Sequence, residues 1–414
     1  MMASPKYNGA ETPPVRGPIY LDNQATTRTD PRVVDAMLPY FSENYGNPHS
    51  RSHAFGWVAE DAVKVARQSL ADLISAEARE IIFTSGATEA NNLAIKGVAE
   101  ANRVRGNRIV TFATEHKCVL ETCRRLERDG FDVVYLGVDG DGLIDPQDLA
   151  AAVDDKTILV SVMGVNNETG VTQPLAEIGK YCRRNGVIFH SDCAQAAGKI
   201  ELDVEAMNID LMSLSAHKMY GPMGVGALYV RRRPRVRLAP LLDGGGQEQG
   251  LRSGTLPAPL CVGFGAAAGI CREEMAVEVN RIKELRCRFL ENLEQRLEGV
   301  HVNGHMSHRI AGNLNLRFDG VSAVQLLSGV KGVAFSAGSA CTSASVEPSY
   351  VLRAMGLGDI EADSSVRFGF GRFTTADEID RACALITDCV DKTRNDGGAI
   401  VAAGKTTQSN ATAA

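Results

Sequence analysis

The tetrapeptide Ser215-Ala216-His217-Lys218 lies between an apolar run, Ile209 to Leu214, and a glycine-rich turn, Met219 to Gly226. This pattern predicts that a strand ends near the lysine and that a turn follows. An amine at the end of a strand, partly shielded from water, loses its proton more easily and can condense with an aldehyde to form a Schiff base. A surface lysine beside a turn is the alternative, and the tetrapeptide by itself favours it.

The preceding strand-like run, Val187 to His190, changes that balance because it delivers Asp192 and Gln195. An enzyme that uses pyridoxal phosphate needs a carboxylate on the ring nitrogen, a donor near the ring hydroxyl and a lysine for the aldehyde. Asp192 is suited to keep the ring nitrogen protonated, which makes the ring an electron sink. A helix N-cap after a strand is the alternative role of Asp192. Together with Lys218, these residues predict a pyridoxal phosphate site.

Two motifs and one small-residue segment resemble those of a known family. They are His190-x-Asp192-x-x-Gln195, Ser215-x-His217-Lys218 and Ser336-Ala337-Gly338-Ser339-Ala340-Cys341-Thr342-Ser343-Ala344-Ser345. The first two resemble the class V aminotransferase branch of pyridoxal phosphate enzymes, and the third resembles the cysteine desulfurases of the housekeeping iron–sulfur-assembly kind. The resemblance runs from about Tyr20 to about Asp391. It implies a PLP-dependent transferase fold of type I, a homodimer, L-cysteine as substrate, and iron–sulfur scaffold or other sulfur-acceptor proteins as partners.

Strands alternate with helices over much of the chain. The predicted strands are 80–84, 108–112, 131–136, 157–163, 187–190, 209–214 and 225–230, and the helices are 57–73, 90–99, 119–129, 147–153 and 175–184. This alternation predicts an α/β fold whose large domain has a mainly parallel sheet covered by helices. Active groups are then expected beyond the carboxyl ends of the strands.

The length of 414 residues exceeds what one core usually supports, so two domains are expected. We predict a flexible leader (1–19), a large PLP-binding domain (20–262), a smaller C-terminal domain (263–394) and a disordered tail (395–414). The first residues of the large domain could pack on the small one. A long helix followed by strands without strict alternation predicts that the small domain is α+β.

The composition points to a soluble protein of a reducing compartment. Lys and Arg number 44 against 50 for Asp and Glu, a net charge of −6, which gives no reason to expect direct nucleic-acid binding. The ten cysteines form no CxxC pair. The leader has no apolar core of a signal peptide, and the longest uncharged stretch, Leu256 to Cys271, is shorter than the roughly 18 residues of a membrane span. We therefore expect a cytoplasmic protein with no membrane partner.

The segment Ser85-Gly86-Ala87-Thr88-Glu89 joins strand 80–84 to helix 90–99. A strand, a turn of small residues and a helix together aim backbone N–H groups and a hydroxyl at a phosphate. The N–H of Ala87 and the hydroxyl of Thr88 are therefore the predicted phosphate contacts. A Rossmann dinucleotide site is the alternative, but no GxGxxG motif follows a strand in this sequence.

Further cofactor contacts rest on the resemblance and on the ends of strands. His116 follows strand 108–112, and Asn167 follows strand 157–163. The resemblance implies that His116 stacks on the cofactor ring and shuttles protons, and that Asn167 helps hold the ring and the substrate. By itself, His116 is more typical of a surface turn. The resemblance also adds three cofactor contacts: Ser215, His217, and Thr255 from the other subunit.

Cys341 lies in a run of ten small residues, 336–345. Such a run buries little apolar area, so it is predicted to be mobile, and a tethered thiol of this kind can carry sulfur. Composition alone favours a loop cysteine without a role, whereas the resemblance makes it the catalytic thiol. The resemblance also implies that Arg367 binds the substrate carboxylate with its planar fork. Lys218 would move the α proton, and the Cys341 thiolate would attack the substrate sulfur, leaving alanine and a persulfide.

Other functions are weighed against this one. Among enzymes, they are a selenocysteine lyase and a class V aminotransferase, and Cys341 argues against the latter because transamination needs no thiol. A catalytically silent sulfur-assembly scaffold is the third alternative, and intact Lys218 and Asp192 argue against it. No metal site is predicted, because Cys182, His190 and Cys193 lack the usual zinc spacing.

An arginine-rich run and a glycine-rich loop follow Lys218. The run 231–237 holds five arginines and is predicted to be a solvated edge, with a docking face for an acidic partner as the alternative. The loop 244–255 resembles the family's loop that reaches across a dimer interface. Gln249 stands in this loop where the family usually has arginine.

Overall fold

The computed structural model describes residues 17–338 and 348–408. Its strands are β1 (Ile19–Tyr20), β2 (Ile81–Thr84), β3 (Arg108–Phe112), β4 (Asp132–Leu136), β5 (Thr157–Met163), β6 (Ile188–Asp192), β7 (Leu211–Ser215), β8 (Gly226–Val230), β9 (Val300–Val302), β10 (Asn313–Phe318), β11 (Val333–Ala334) and β12 (Ser365–Gly369). Its α-helices are α1 (Pro31–Met37), α2 (Pro39–Ser42), α3 (Ala54–Leu73), α4 (Ala87–Asn102), α5 (Lys117–Arg128), α6 (Pro146–Ala152), α7 (Leu175–Asn185), α8 (Ala258–Glu294), α9 (Ala323–Gly329), α10 (Tyr350–Ala354), α11 (Asp359–Asp363) and α12 (Ala376–Gln408).

A seven-stranded sheet forms the centre of the large domain, in the order β2-β8-β7-β6-β5-β3-β4. Strands β7, β6, β5, β3 and β4 are parallel to one another, and β8 alone in this sheet runs antiparallel to its neighbours. Every residue of β5, β7 and β8 is buried, as expected for strands that are covered by helices on both faces. The predicted α/β fold with a mainly parallel sheet is therefore confirmed.

The carboxyl ends of β3, β5, β6 and β7 lie at one edge of this sheet because these strands are parallel. Local signals set the helices that pack beside them. Asp30, for example, accepts a hydrogen bond from the backbone N–H of Arg32, and Pro31 is the first residue of α1. The aspartate cap and the proline both come from the sequence, and they fix where the chain turns after β1.

The smaller domain has its own core, built on the antiparallel sheet β12-β10-β9 and on α9 and α12. The strand β1 pairs in parallel with β11, so Ile19 and Leu21 belong to this second core although they lie at the start of the chain, far from β11 in sequence. The helix α8 connects the two cores: Phe264 packs in the large one and Phe289 in the small one. The residues that follow β1 and those of β12 are thereby brought to the edge of the large sheet.

One expectation differs from the structure. Arg231, predicted to lie on a solvated edge, is 2 % exposed, and its guanidinium donates to the carbonyl oxygens of Ile209 and Val204 and pairs with Glu205. Counting charges cannot reveal such partners. The last helix is assigned from Ala376 to Gln408, and the disordered tail expected from residue 395 stays a prediction.

In the described part of the chain, no helix combines the length and the apolar character that crossing a membrane would require.

Candidate active site

A pocket of about 590 Å³ opens at the carboxyl ends of β3, β5, β6 and β7. Ten of the residues singled out from the sequence line it: Ala87, Thr88, His116, Asn167, Asp192, Gln195, Ser215, His217, Lys218 and Arg367. They come from six separate stretches of the chain. The parallel sheet explains most of this convergence, because each strand delivers its next loop to the same edge.

Lys218 lies in a 3₁₀ turn, Ala216–Lys218, that directly follows β7. Its Nζ donates to the carbonyl oxygen of Gln24 at 2.6 Å and to that of Ala25 at 2.7 Å. Both carbonyls belong to the polar turn after β1, whose approach to this lysine has no signal in the sequence. The amine is thus held at the floor of the pocket by neutral acceptors.

Asp192 is the last residue of β6 and is buried. Its carboxylate accepts hydrogen bonds from Asn91 Nδ2 at 2.6 Å and from the backbone N–H of Ala194 at 3.0 Å. Asn91 is a residue that the sequence reasoning missed, since it lies within α4, about a hundred positions earlier in the chain. These two donors hold the carboxylate in place at the end of β6.

His190 lies two residues before Asp192 on β6 and is fully buried. Its Nδ1 is 2.8 Å from Ser161 Oγ, and its Nε2 is 3.0 Å from Ser213 Oγ. Burial lowers the pKa of His190 to about 3, so the ring is neutral at physiological pH. This histidine bridges neighbouring strands beneath the pocket.

The amino terminus of α4 faces the pocket with Ala87 and Thr88. No side chain caps this helix, which leaves its first N–H groups available to an anion. The close approach of β8 shapes the turn: a Cβ at Gly226 would lie 2.6 Å from the backbone of Gly86. Glycine at this position therefore allows the turn to sit against the strand.

His116 is the N-cap of α5, and its Nδ1 accepts a hydrogen bond from the backbone N–H of Cys118 at 3.2 Å. Burial lowers the pKa of His116; the charges of Lys218 and Lys117 lower it further, while that of Asp192 opposes the shift. In the neutral ring Nδ1 is the acceptor, so the proton is on Nε2. This imidazole can offer a proton to the pocket.

Two residues that were not singled out complete this side of the pocket. Thr26 Oγ1 lies 3.1 Å from His217 Nδ1, and burial, with Lys218 and Lys199, lowers the pKa of His217 to about 4. The Cys118 thiol lines the pocket 3.0 Å from His116 Nδ1, and burial raises its pKa to about 12. Cys118 is therefore a thiol, not a thiolate, at neutral pH.

Arg367 of β12 forms the opposite wall and is almost completely buried. One Nη donates to the carbonyl oxygen of Asn167 at 2.9 Å, and the other pairs with Asp22 at 2.8 Å. Within the described residues, Arg367 Nε and Asn167 Oδ1 have no hydrogen-bond partner. This wall therefore contains a buried donor and a buried acceptor that can each form a hydrogen bond with a ligand.

The chain segments on either side of residues 339–347 are fixed close to Arg367. Ser336 Oγ donates to Asp22 Oδ2 at 2.6 Å, and its backbone pairs with that of Arg367. After the gap, Ser349 Oγ donates to the carboxylate of the buried Glu168, whose pKa is raised by burial. Cys341 itself lies outside the described residues.

Thr255 does not line the pocket and is exposed in this single chain. Its loop is held to the first turn of α4 by the ion pair of Arg252 with Glu89, at 2.8 Å. Gln249, in the same loop, accepts from Arg232 and donates to the carbonyl oxygen of Arg79, each at 2.8 Å. The amide therefore has a local partner at each end.

The pocket could hold a phosphorylated aromatic aldehyde. The open helix end suits the phosphate, Asp192 suits a ring nitrogen, and Lys218 can reach an aldehyde. For residues 17–338 and 348–408, no three or more His, Cys, Asp and Glu side chains are grouped so that they could hold a metal ion.

Comparison with known proteins gives consistent results. The family model "Aminotransferase class-V" matches residues 19–382. The chain is 57% identical over 377 residues to "Cysteine desulfurase IscS" of Rickettsia peacockii (strain Rustic), which covers 91% of this chain and 92% of the relative.

Two solved structures extend the comparison to the fold. A structure titled "NIFS-LIKE PROTEIN" has a TM-score of 0.85 at 34% identity and covers 90% of this chain and 99% of its own. Another, titled "SspA in complex with cysteine", has a TM-score of 0.78 at 38% identity, with coverages of 86% and 100%.

Proposed function

We infer, since the chain belongs to the class-V aminotransferase family and is a cysteine desulfurase, that it converts L-cysteine to L-alanine with pyridoxal 5'-phosphate and carries the sulfur as a persulfide on Cys341. The observation that carries this proposal is the meeting of Lys218, Asp192 and the open end of α4 around one pocket. Each answers one chemical need of this cofactor.

Different residues of the pocket would bind different parts of the cofactor. Lys218 would bind its aldehyde, Asp192 would hold a proton on its ring nitrogen, and Gln195 would donate to its ring oxygen. The phosphate would lie at the α4 terminus with Ala87 and Thr88, joined by Ser215, His217 and the partner subunit's Thr255. When bound, pyridoxal phosphate supplies an electron sink for the substrate's α carbon.

Proton transfer falls to two residues with suitable environments. Lys218 Nζ donates to carbonyl oxygens of the Gln24 turn, and its amine would exchange these bonds for the substrate's α proton. His116, also proposed to stack on the cofactor ring, is neutral with its proton on Nε2 and can deliver or take a proton near the sulfur.

Arg367 would bind the substrate carboxylate, with Asn167 beside it. Its Nε is a buried donor without a partner in the described residues, which is a strong reason to expect an anionic ligand there. The same side chain is held in place by Asp22 and by the Asn167 carbonyl. The guanidinium is therefore oriented before the substrate arrives.

Sulfur transfer would use the Cys341 thiolate. It forms an S–S bond with the substrate sulfur while the substrate's Cβ–S bond breaks, and the electron pair stays with the three-carbon fragment, which takes up protons and leaves as alanine. Cys341 lies five positions after Ser336, which is bonded to the Arg367 strand, and five extended residues span at most about 18 Å. The thiol is thus tethered within reach of a substrate that Arg367 holds.

A homodimer and a cytoplasmic location complete the proposal. Phe41, Tyr45, Phe55 and Trp57 are each more than half exposed on neighbouring segments, which suits a surface that a second subunit covers. The nine cysteines of the described residues are all free, which favours a reducing compartment. Iron–sulfur scaffold or other sulfur-acceptor proteins would then receive the persulfide sulfur.

The test is a product assay of the purified protein with pyridoxal phosphate, L-cysteine and a dithiol reductant. We expect alanine and sulfide in equal amounts, both lost in Cys341→Ala and both kept in Cys287→Ala, a half-buried cysteine in α8 that serves as the matched control. Undiminished sulfide from Cys341→Ala would refute the persulfide role. A cofactor-loaded protein that forms no alanine would favour the selenocysteine lyase instead.

A further inference from the structure

Lys199 is a half-buried lysine behind the wall of the pocket, four residues after Gln195. Its Nζ donates to Gln195 Oε1 at 2.8 Å. With Tyr220 and Glu278 it lines a separate small cavity on the far side of that wall. It does not line the main pocket, and its hydrogen bond to Gln195 is a direct link to a residue that does.

Gln195 connects Lys199 with Lys218 through the backbone carbonyl of Gln24. Its Nε2 donates to the backbone oxygen of Gln24 at 2.8 Å, and the same oxygen accepts the bond from Lys218 Nζ. The result is a chain of hydrogen bonds from Lys199 through the Gln195 amide to the Gln24 carbonyl and Lys218. The Gln24 turn is itself tied to the small domain, because Gln24 Nε2 donates to the carbonyl oxygen of Gly312.

The chain fixes which end of the Gln195 amide is the donor. A carbonyl oxygen can only accept, so the amide nitrogen must face Gln24, and the donor Lys199 requires the amide oxygen on its own side. Both ends of the amide are thereby assigned. The second N–H of Nε2 can then donate a hydrogen bond to a group bound in the pocket. If Lys199 were absent, only the Gln24 carbonyl would oppose rotation of the amide.

We propose that Lys199 is a positioning residue for the cofactor: it holds the Gln195 amide so that its nitrogen, not its oxygen, meets the ring oxygen of pyridoxal phosphate. This inference rests on the proposed function. Burial lowers the pKa of Lys199 to about 7, and the charge of Lys218 contributes to this shift. The amine can donate to Gln195 in either protonation state, so the amide keeps its orientation on both sides of neutrality.

The first experiment replaces Lys199 by methionine, which is similar in length but cannot donate. The readouts are the dissociation constant of pyridoxal phosphate and the position of its visible absorption band, which responds to a hydrogen bond at the ring oxygen. We expect about 5- to 10-fold weaker binding, the effect of one poorly oriented hydrogen bond, and a displaced band. Lys64→Met, at an exposed lysine that pairs only with Glu60 and Asp61, is the control and should match the wild type.

A double-mutant cycle tests whether the effect passes through Gln195. In a Gln195→Leu background, Lys199→Met should cause no further loss of affinity and no further displacement of the band. Full additivity of the two changes would overturn the proposal, as would wild-type binding and an unchanged band in Lys199→Met.

Gln195→Glu provides an answer even if Lys199→Met fails to fold. The carboxylate keeps an acceptor for Lys199 but has no N–H for the ring oxygen or for the Gln24 carbonyl, so we expect at least the same loss of affinity. Wild-type affinity in Gln195→Glu would contradict the proposal. If the wild-type protein itself bound no pyridoxal phosphate, the proposed function would fail, and this outcome is distinct from a failure of the Lys199 proposal.

Discussion

The two walls of the pocket are built in different ways. On the cofactor side, Asp192 ends β6 and Lys218 follows the adjacent parallel strand β7, and both are held by amide and carbonyl groups of the same domain. On the substrate side, Arg367 belongs to the small domain and is held by an ion pair with Asp22, 345 positions away. The parallel sheet positions the residues of one wall, and contacts between the two domains position the residues of the other.

This difference teaches that binding of the cofactor and binding of the substrate should be separable by mutation. Hydrogen bonds to neutral partners hold their geometry without a balancing charge, whereas a buried arginine depends on its carboxylate. Damage to the substrate wall should therefore leave the cofactor in place, and damage to the cofactor wall should abolish the reaction.

The largest effect is expected on the cofactor side, from Lys218→Ala. The variant loses the amine that binds the aldehyde and moves the α proton, so alanine formation should fall by about 10³-fold or more. The substrate wall should be unaffected, because Arg367 is held by Asp22 and by the carbonyl oxygen of Asn167. The rate of alanine release checks this, and a rate within about tenfold of the wild type would refute the assignment.

On the substrate side, Arg367→Lys keeps a charge but cannot make the planar fork. We expect KM for L-cysteine to rise about 10- to 100-fold, because hydrogen bonds between charged groups contribute about 1.5–3 kcal/mol. The dissociation constant of pyridoxal phosphate should stay unchanged. Arg317→Lys, at a neighbouring strand arginine that pairs with exposed carboxylates, is the control. Weaker cofactor binding with an unchanged KM would show that the two walls are not separable.

Acid should lower the free energy of unfolding through His190, which lies beneath the cofactor side of the pocket. Its folded-state pKa of about 3 lies below the ordinary value of about 6.5, so the unfolded chain binds a proton that the folded chain does not. Stability should therefore fall as the pH drops from about 6.5 towards 3, by up to about 1.4 kcal/mol per pH unit from this residue. Urea unfolding at pH 7, 6 and 5, followed through the single tryptophan, Trp57, measures it. His190→Asn should have a shallower pH dependence, and an equal slope in both proteins would contradict this origin.

The smallest effect is expected from Cys193→Ala. Cys193 is buried next to Asp192, but its thiol contacts Ser191 and not the pocket. The change should cost about 1 kcal/mol of stability, as expected for a small buried truncation, and leave cofactor affinity unchanged. Thermal unfolding and a cofactor titration separate the two quantities. A clear loss of affinity would place this thiol in the cofactor site.

The elements of the large domain could be predicted because their signals are local. The strand predicted at 108–112 has the bounds of β3, and Asp30 with Pro31 marks the start of α1. Asp192, Gln195 and Lys218 could be predicted for the same reason, since parallel strands deliver them to one edge, whereas His116, Asn167, Ser215 and His217 rested on the resemblance. Asn91 could not, because its meeting with Asp192 depends on how α4 packs on the sheet.

The substrate wall was predictable only in part. Arg367 was singled out by resemblance, but its partner Asp22 was not, because nothing in the local sequence links two strands from opposite ends of the chain. The burial of Arg231 was missed for a related reason: five arginines within seven residues suggest solvent, and only the fold shows that carbonyl oxygens accept hydrogen bonds from one of them. Local sequence patterns do not predict contacts between segments that are far apart in the chain.

The central claim, that Cys341 receives sulfur from L-cysteine, is tested most directly by mass spectrometry of the protein after brief incubation with pyridoxal phosphate and L-cysteine, without reductant. The account predicts that the peptide containing Cys341 gains the mass of one sulfur atom, that the gain disappears on adding a dithiol, and that the peptides of Cys118 and Cys287 stay unmodified. Alanine formation with no added sulfur on Cys341, or with the sulfur on another cysteine, would contradict it.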